Sequence, residues 1–166
     1  ENKLKKLLDA ENCILVSSGT DALLISLMAI GLKEGDEVIT TPFTFISTVE
    51  VILSLKAVPV LVDIDSQTFN IDTKKIEKVI TNRTRVIMPV SLFGQTANLR
   101  EIKKITRNYK KIKIVEDNAQ SLLSKHNEKY SHYYSDISCT SFFPTKIFGC
   151  YGDGGAILLK NKRLAL

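Results

Sequence analysis

The sequence predicts an α/β fold: seven strands in a mostly parallel, mixed sheet lying between helices. Three observations predict it. Short apolar runs alternate with segments whose apolar residues recur at helical spacing. One of those runs, "VPVLVDI" at 58–64, is apolar without alternation, the pattern of a strand covered on both faces. The last two runs, "ISCTSF" at 137–142 and "GGAILLK" at 154–160, leave no room for a crossover helix between them, so at least one must run against the others.

Each element has its own signal. "NKLKKLLDA" (2–10) carries helical periodicity and "CILVSS" (13–18) reads as a strand running into Gly19. "TDALLISLMAIGL" (20–32) is a largely apolar helix with an acceptable cap, ended by the cluster "GLKEGDE". "EVIT" (37–40) is a strand, "TPFTF" (41–45) a turn and "ISTVEVILSLKA" (46–57) a helix; strand 58–64 follows. "DSQTFNID" (65–72) is a polar loop before a short helix, "TKKIEKVI" (73–80), with Thr73 as its cap. Strand "RVIMPV" (85–90) leads through "SLFGQTAN" to helix "LREIKKITRNY" (99–109), and strand "KIKIVED" (111–117) ends in two acids. A polar excursion, "SKHNEKYSHYYSD" (124–136), separates it from the sixth strand.

Composition excludes several classes. With 166 residues and 44% apolar content the chain can bury one sizeable core. Twenty-three Lys and Arg against eighteen Asp and Glu give a net charge of +5, but the basic residues alternate with apolar ones at helical spacing, as on solvated helix faces. The aromatics sit beside Gly and Pro and do not interleave with the basic runs, which argues against nucleic acid as a partner. No leading apolar segment with a cleavage site and no apolar span of membrane length is visible, so a cytoplasmic location without membrane contact is the expectation. Cys13, Cys139 and Cys150 are odd in number and lack metal-site spacing, which suits free, mostly buried thiols in a reducing compartment. His126 and His132, separated by polar residues, do not suggest a metal site.

Chemistry is sought beyond the carboxyl ends of the strands, where open α/β sheets hold ligands. The sequence places "SSGTD", "TPFTF", "SLFGQ", "EDNAQ" and "SFFPTK" there. "SSGTD" (17–21) is strand, glycine turn and helix start: either a simple cap, or a cradle whose free N–H groups and Thr20 hydroxyl hold a phosphate. Neither a Walker loop nor GxGxxG accompanies it. Asp117, closing a buried strand, is either a helix cap for "NAQ" or the partner of a protonated ring nitrogen. Glu116 points to the opposite face. Phe45 is either core or a stacking face for a planar ligand. Lys146, set among aromatics, Pro144 and Gly149, is a surface lysine or an amine that forms a Schiff base with an aldehyde. Lysine, aspartate and phosphate cradle together are what pyridoxal phosphate requires.

The segments "VSSGTDALLISLMAIGLKEGDEVIT", "PFTFISTVEVI", "PVLVDIDSQTFNID", "PVSLFGQ", "VEDNAQS" and "SFFPTKIFGCYGDGG" resemble the DegT/DnrJ/EryC1/StrS family of pyridoxal-phosphate-dependent nucleotide-sugar aminotransferases. The resemblance implies the large domain of the fold type I transferases. It makes Lys146 the imine-forming lysine and proton shuttle, Asp117 the partner of the pyridine nitrogen, Gln120 a neighbour of the ring hydroxyl and Phe45 the stacking aromatic. Thr20, the backbone of Asp21 and Ser141 would hold the phosphate. Asn118, where the family commonly has alanine, would adjust the pocket. "TSFFPTKIFGCYGDGG" with "PVSLFGQ" is most similar to members that aminate C3 of a UDP-linked 3-keto N-acetylglucosaminuronic acid in bacterial lipopolysaccharide and O-antigen synthesis, with L-glutamate as donor.

The alternatives are C4 amination of a UDP- or dTDP-4-keto-6-deoxy sugar, a sugar dehydratase, another enzyme of the same fold, and a noncatalytic sugar-sensing or scaffold relative. Dehydratases of this kind carry histidine where this chain has Lys146. Family members are longer, with a C-terminal small domain and a site shared across a homodimer. Residues 1–166 are therefore expected to form part of the large domain of a two-domain enzyme and not to turn over alone.

Overall fold

The structure, a computed structural model, describes residues 1–160. Its strands are β1 (Asn12–Val16), β2 (Glu37–Thr40), β3 (Val58–Leu61), β4 (Thr84–Ile87), β5 (Lys113–Asp117), β6 (Lys125–His126), β7 (Lys129–Tyr130), β8 (Ile137–Ser141) and β9 (Gly155–Leu159). The helices are α1 (Asn2–Leu8), α2 (Gly19–Ile30), α3 (Ser47–Ser54), α4 (Thr73–Ile76) and α5 (Leu99–Thr106). Seven strands form one sheet in the order β1, β9, β8, β5, β4, β2, β3. All neighbours from β3 to β8 pair in parallel, and β9 lies antiparallel between β8 and β1. The short connection 142–154 permits no crossover helix, so β9 has to reverse direction.

That reversal positions the site. Because β9 runs backwards, its first residue, Gly155, pairs with the last residues of both neighbours, Val16 of β1 and Ser141 of β8. Three chain segments meet there, beneath the first turn of α2. Close approach is possible only because Gly155 lacks a side chain: a Cβ on it would lie 2.4 Å from the Ser18 carbonyl oxygen.

Neighbouring residues on the central strands point to opposite faces, and each face has its own core. Val38, Val86 and Val115 pack with Leu23 and Leu27 of α2 and Val51 and Ile52 of α3. Ile39, Ile87 and Ile114 pack on the other side with Ile76, Leu99 and Ile102. Burying each such side chain contributes about 1.5–3 kcal/mol, and the two-sided covering explains the adjacent apolar pairs Val38–Ile39, Val86–Ile87 and Ile114–Val115 of β2, β4 and β5.

The structure corrects four details. β3 was expected to be covered on both faces, but it is the sheet's edge, with Val58 41% and Leu61 52% exposed. Pro59, which has no N–H to donate, suits an edge. Helix α4 is capped by the Asp72 carboxylate, which accepts from the Lys74 N–H at 3.0 Å, and not by Thr73; it makes one turn and continues as a 3-10 segment, Glu77–Val79. The polar excursion contains the β6–β7 hairpin and a 3-10 turn at Ser131–Tyr133, too short to show a period in sequence. Cys13 and Cys139 are buried, whereas Cys150 is exposed. Among the described residues, no helix is long and apolar enough to cross a membrane, and no His, Cys, Asp and Glu cluster could hold a metal ion.

Candidate active site

A cavity of about 380 Å³ opens beyond the carboxyl ends of β1, β5 and β8, walled by the first turn of α2, the loops after β2, β4 and β5, and the turn carrying Lys146. Its volume falls in the range of small-molecule pockets. Thr20, Phe45, Asp117, Gln120, Ser141 and Lys146 all line it, together with Ser18, Gly19, Ser47, Leu92 and Asp153. Asp21 does not.

The α2 start leaves two backbone donors free beside the cavity. Ser18 caps the helix: its Oγ accepts from the Asp21 N–H at 3.0 Å. The Asp21 amide is thereby committed to the cap, and its carboxylate accepts from Ser17 Oγ (2.5 Å) and Ser18 Oγ (3.0 Å), which hold its pKa below the usual carboxylate value. Asp21 therefore completes the cap in this structure. Helix geometry leaves the N–H groups of Gly19 and Thr20 without intrahelical acceptors. Thr20 Oγ1 donates to Ser47 Oγ at 2.9 Å, joining the starts of α2 and α3. A Cβ on Gly19 would lie 2.7 Å from the Ser141 Cβ, so glycine is needed to bring this turn against β8.

Asp117 lies at the floor, only 6% exposed. Burial pushes its pKa up; hydrogen bonds from Thr48 Oγ1 (2.8 Å) and the Ala119 N–H (3.2 Å), and then the field of Lys146, act in the opposite direction. Thr48 is itself fully buried and hydrogen-bonded to Thr44 at 2.7 Å, so a threonine pair backs the carboxylate. Among the described residues, no Lys, Arg or His forms a salt bridge with Asp117. A buried carboxylate lacking a cation favours its protonated form or a ligand that brings positive charge.

Gln120 Oε1 accepts from the Phe93 N–H at 3.1 Å, leaving its Nε2 donors for the cavity. Phe45 is 67% exposed at the mouth, where it is a wall and not core. Lys146 sits in a tight turn closed by Lys146 N–H to Phe143 O and Cys150 N–H to Phe142 O, both 2.8 Å. Only glycine fits at 149, because a Cβ there would lie 2.3 Å from the Pro144 oxygen. Asn118, expected to adjust the pocket, faces the other side of the sheet, donating to Ser131 Oγ at 3.0 Å. It is two residues from Glu116 and shares its face.

Thr48, Thr44 and Ser47 were missed in sequence. "TFIST" displayed the hydroxyls, but which of them reaches Asp117, 69 residues away, depends on how α3 packs over the sheet.

The sheet order with one reversed strand, together with the likeness to solved structures, makes this the large-domain fold of the fold type I pyridoxal-phosphate-dependent transferases. The chain belongs to the DegT/DnrJ/EryC1/StrS aminotransferase family, whose model matches residues 1–166. It is 47% identical over 165 residues to a UDP-2-acetamido-2-deoxy-3-oxo-D-glucuronate aminotransferase of Pseudomonas aeruginosa, covering 99% of this chain and 46% of that protein. It is 43% identical to a pleiotropic regulatory protein of Geobacillus stearothermophilus, covering 94% of this chain and 42% of that protein. The crystal structure of NtdA from Bacillus subtilis with bound cofactor PMP superposes with a TM-score of 0.94 at 41% identity, covering 99% of this chain and 37% of that one. The chain thus spans less than half the length of each of these relatives.

Proposed function

We propose that the intact protein is a pyridoxal 5'-phosphate-dependent aminotransferase that moves an amino group from L-glutamate to a nucleotide-linked keto sugar, at C3 of a UDP-3-keto-N-acetylglucosaminuronic acid. The observation that carries the reading is the buried carboxylate of Asp117 sharing a cavity with Lys146 and the open N–H groups of α2. The likeness to the Pseudomonas aeruginosa enzyme supports the substrate.

The residues present fit the cofactor. Gly19 and Thr20 N–H groups, with the hydroxyls of Thr20, Ser47 and Ser141, suit its phosphate; Asp117 suits a protonated ring nitrogen, Phe45 a ring face, and Gln120 Nε2 the ring hydroxyl. Bound there, the cofactor supplies an aldehyde that condenses with amines and a ring that accepts electron density from the substrate carbon. Asp117, braced by Thr48, would hold a proton on the ring nitrogen of a bound cofactor and so favour that electron flow. Lys146 is the one lysine lining this cavity among the described residues; its amine would hold the cofactor, take up the proton lost from the donor α-carbon and, in the second half of the reaction, deliver a proton to the acceptor carbon.

Residues 1–166 form, in this reading, part of the large domain of a longer two-domain enzyme, a reading supported by the share of its relatives that the chain spans. Exposed apolar side chains near the cavity, Phe45, Phe143, Ile147 and Tyr151 among them, suit a homodimer in which a second subunit covers them. Free buried thiols suit the cytoplasm.

Mixing the intact protein with pyridoxal 5'-phosphate, reducing with borohydride and mapping peptides tests the chemistry. A visible absorbance band and a reduced adduct on Lys146 are expected, and Lys146→Ala should abolish glutamate-dependent amination. Normal turnover by that variant refutes the assignment. The likeness to a regulatory protein keeps a sensing role as the second reading; cofactor binding without transfer to any of a panel of 3-keto and 4-keto sugar nucleotides would favour it.

A further inference from the structure

Glu116 is wholly buried, adjacent to Asp117 but on the opposite face of the sheet, and the chemistry above leaves it unused. Burial pushes its pKa up, while three serine hydroxyls hydrogen-bond it: Ser138 Oγ donates to Oε2 at 2.7 Å, Ser91 Oγ to Oε1 at 2.7 Å and Ser131 Oγ to Oε2 at 3.0 Å. A buried acid serving only to fill space would be replaced at less cost by an apolar side chain. Its contacts show where it acts. Ser91 begins the loop 91–97 that follows β4, and Ser91 Oγ also accepts from the Ala97 N–H at 3.1 Å, closing the loop at its far end. The same loop holds Gln120: the Phe93 N–H donates to Gln120 Oε1 and the Gly94 N–H to Gln120 O, both at 3.1 Å. The base of the loop is pinned to Glu116, and its tip orients the Gln120 carboxamide toward the cavity.

We propose that Glu116 is a positioning residue for the site: through Ser91 it fixes the loop 91–97 and thereby the direction in which Gln120 presents its Nε2 donors. Ser131 and Ser138 anchor the same carboxylate to the 3-10 turn and to β8, so that it is held from two further elements and cannot follow the loop if the loop moves. That Gln120 then touches pyridoxal phosphate rests on the function proposed above; the positioning itself does not.

The test is amide hydrogen exchange in the unliganded, intact protein, read at Phe93, Gly94 and Ala97 with Ile102 of α5 as reference. Loss of a buried hydrogen bond should speed exchange at the loop amides by about ten- to hundredfold in Ser91→Ala and Glu116→Ala, with Ile102 unchanged. Ser138→Ala removes a Glu116 hydrogen bond that does not lead to the loop and should leave loop exchange as in the parent. Glu116→Gln keeps an acceptor for Ser91 and should retain most of the protection. In the affinity for pyridoxal 5'-phosphate, Ser91→Ala should cost about fivefold or more in the parent and little in a Gln120→Ala background, since coupled residues are not additive. Unchanged loop exchange in Ser91→Ala, equal acceleration at Ile102, or additive affinity losses would each overturn the proposal. If the parent protein fails to bind the cofactor while the exchange pattern holds, the functional reading fails and the positioning role stands.

Discussion

Gly155→Ala tests the proposed phosphate cradle at the start of α2. A Cβ at this position would meet three backbone atoms, Ser18 O at 2.4 Å, Ser18 C at 2.6 Å and Gly19 N at 2.9 Å, whereas ordinary contact begins at 3.4 Å. No flexible side chain can yield, so the start of α2 has to withdraw by about 1 Å, and overpacking of this kind costs about 1–3 kcal/mol. The same movement carries the Gly19 and Thr20 N–H groups beyond hydrogen-bonding distance of a phosphate seated between them and Ser141. Affinity for pyridoxal 5'-phosphate should fall about tenfold or more, each tenfold being about 1.4 kcal/mol. Affinity for pyridoxal, which lacks the phosphate, should change little. Gly31→Ala is the control: its φ of +79° makes alanine unfavourable by about 1 kcal/mol, yet a Cβ there meets nothing within 4 Å. Denaturant unfolding and cofactor titration on both variants give the comparison. Equal losses for pyridoxal and its phosphate, or no loss at all in Gly155→Ala, would refute the cradle.

Other outcomes follow from the same geometry. Thr48→Val removes the 2.8 Å donor to Asp117 while keeping shape, so cofactor affinity should fall by about 1.5–3 kcal/mol, and titration of the cofactor complex against pH should show the carboxylate protonating at higher pH. Asp117 has a raised folded-state pKa, so its contribution to stability is present below the ordinary carboxylate pKa and is lost as pH rises through the raised value. Asp117→Asn should accordingly make the unliganded protein more stable near neutral pH while abolishing tight cofactor binding; lower unliganded stability in a denaturant titration would contradict this. Glu37 behaves oppositely. Hydrogen bonds from Thr81 first, and from Arg83 and Thr84, hold its pKa down, so its contribution is present above the ordinary carboxylate pKa and is lost as pH falls through the folded value. Glu37→Gln should cost about 1–3 kcal/mol at neutral pH without altering cofactor affinity, because Glu37 begins β2 at the end of the sheet away from the cavity.

Much of the fold was legible because local signals agreed with one another. Strand β2 matches "EVIT" residue for residue, and the missing crossover before β9 foretold a reversed strand. The edge position of β3 was not legible, since "VPVLVDI" carries the same apolar content as a buried strand and only strand order decides what lies beside it. Cap identity at α4 failed for a related reason: Asp72 and Thr73 are adjacent and chemically equivalent as caps, and backbone direction alone selects Asp72. In the site, the glycine turn, the strand-ending acid and the lysine among aromatics stood out because each residue type is unusual in its local setting. Their supports did not, because serine and threonine are unremarkable at helix starts and in loops.

The amino-acid sequence by itself determined the layered α/β architecture and the chemical groups available: a glycine turn at a helix start, two acids at a strand end and an amine among aromatics. Periodicity and turn chemistry are local properties, readable within a few residues. Only the tertiary structure decided which hydroxyls serve which acid, Thr48 for Asp117 and Ser91, Ser131 and Ser138 for Glu116, and that Asp21 closes a cap while Asn118 faces away from the cavity. Those assignments join residues far apart in the chain. They follow from strand order and from the two-residue alternation that sends Asp117 to one face of the sheet and Glu116 and Asn118 to the other.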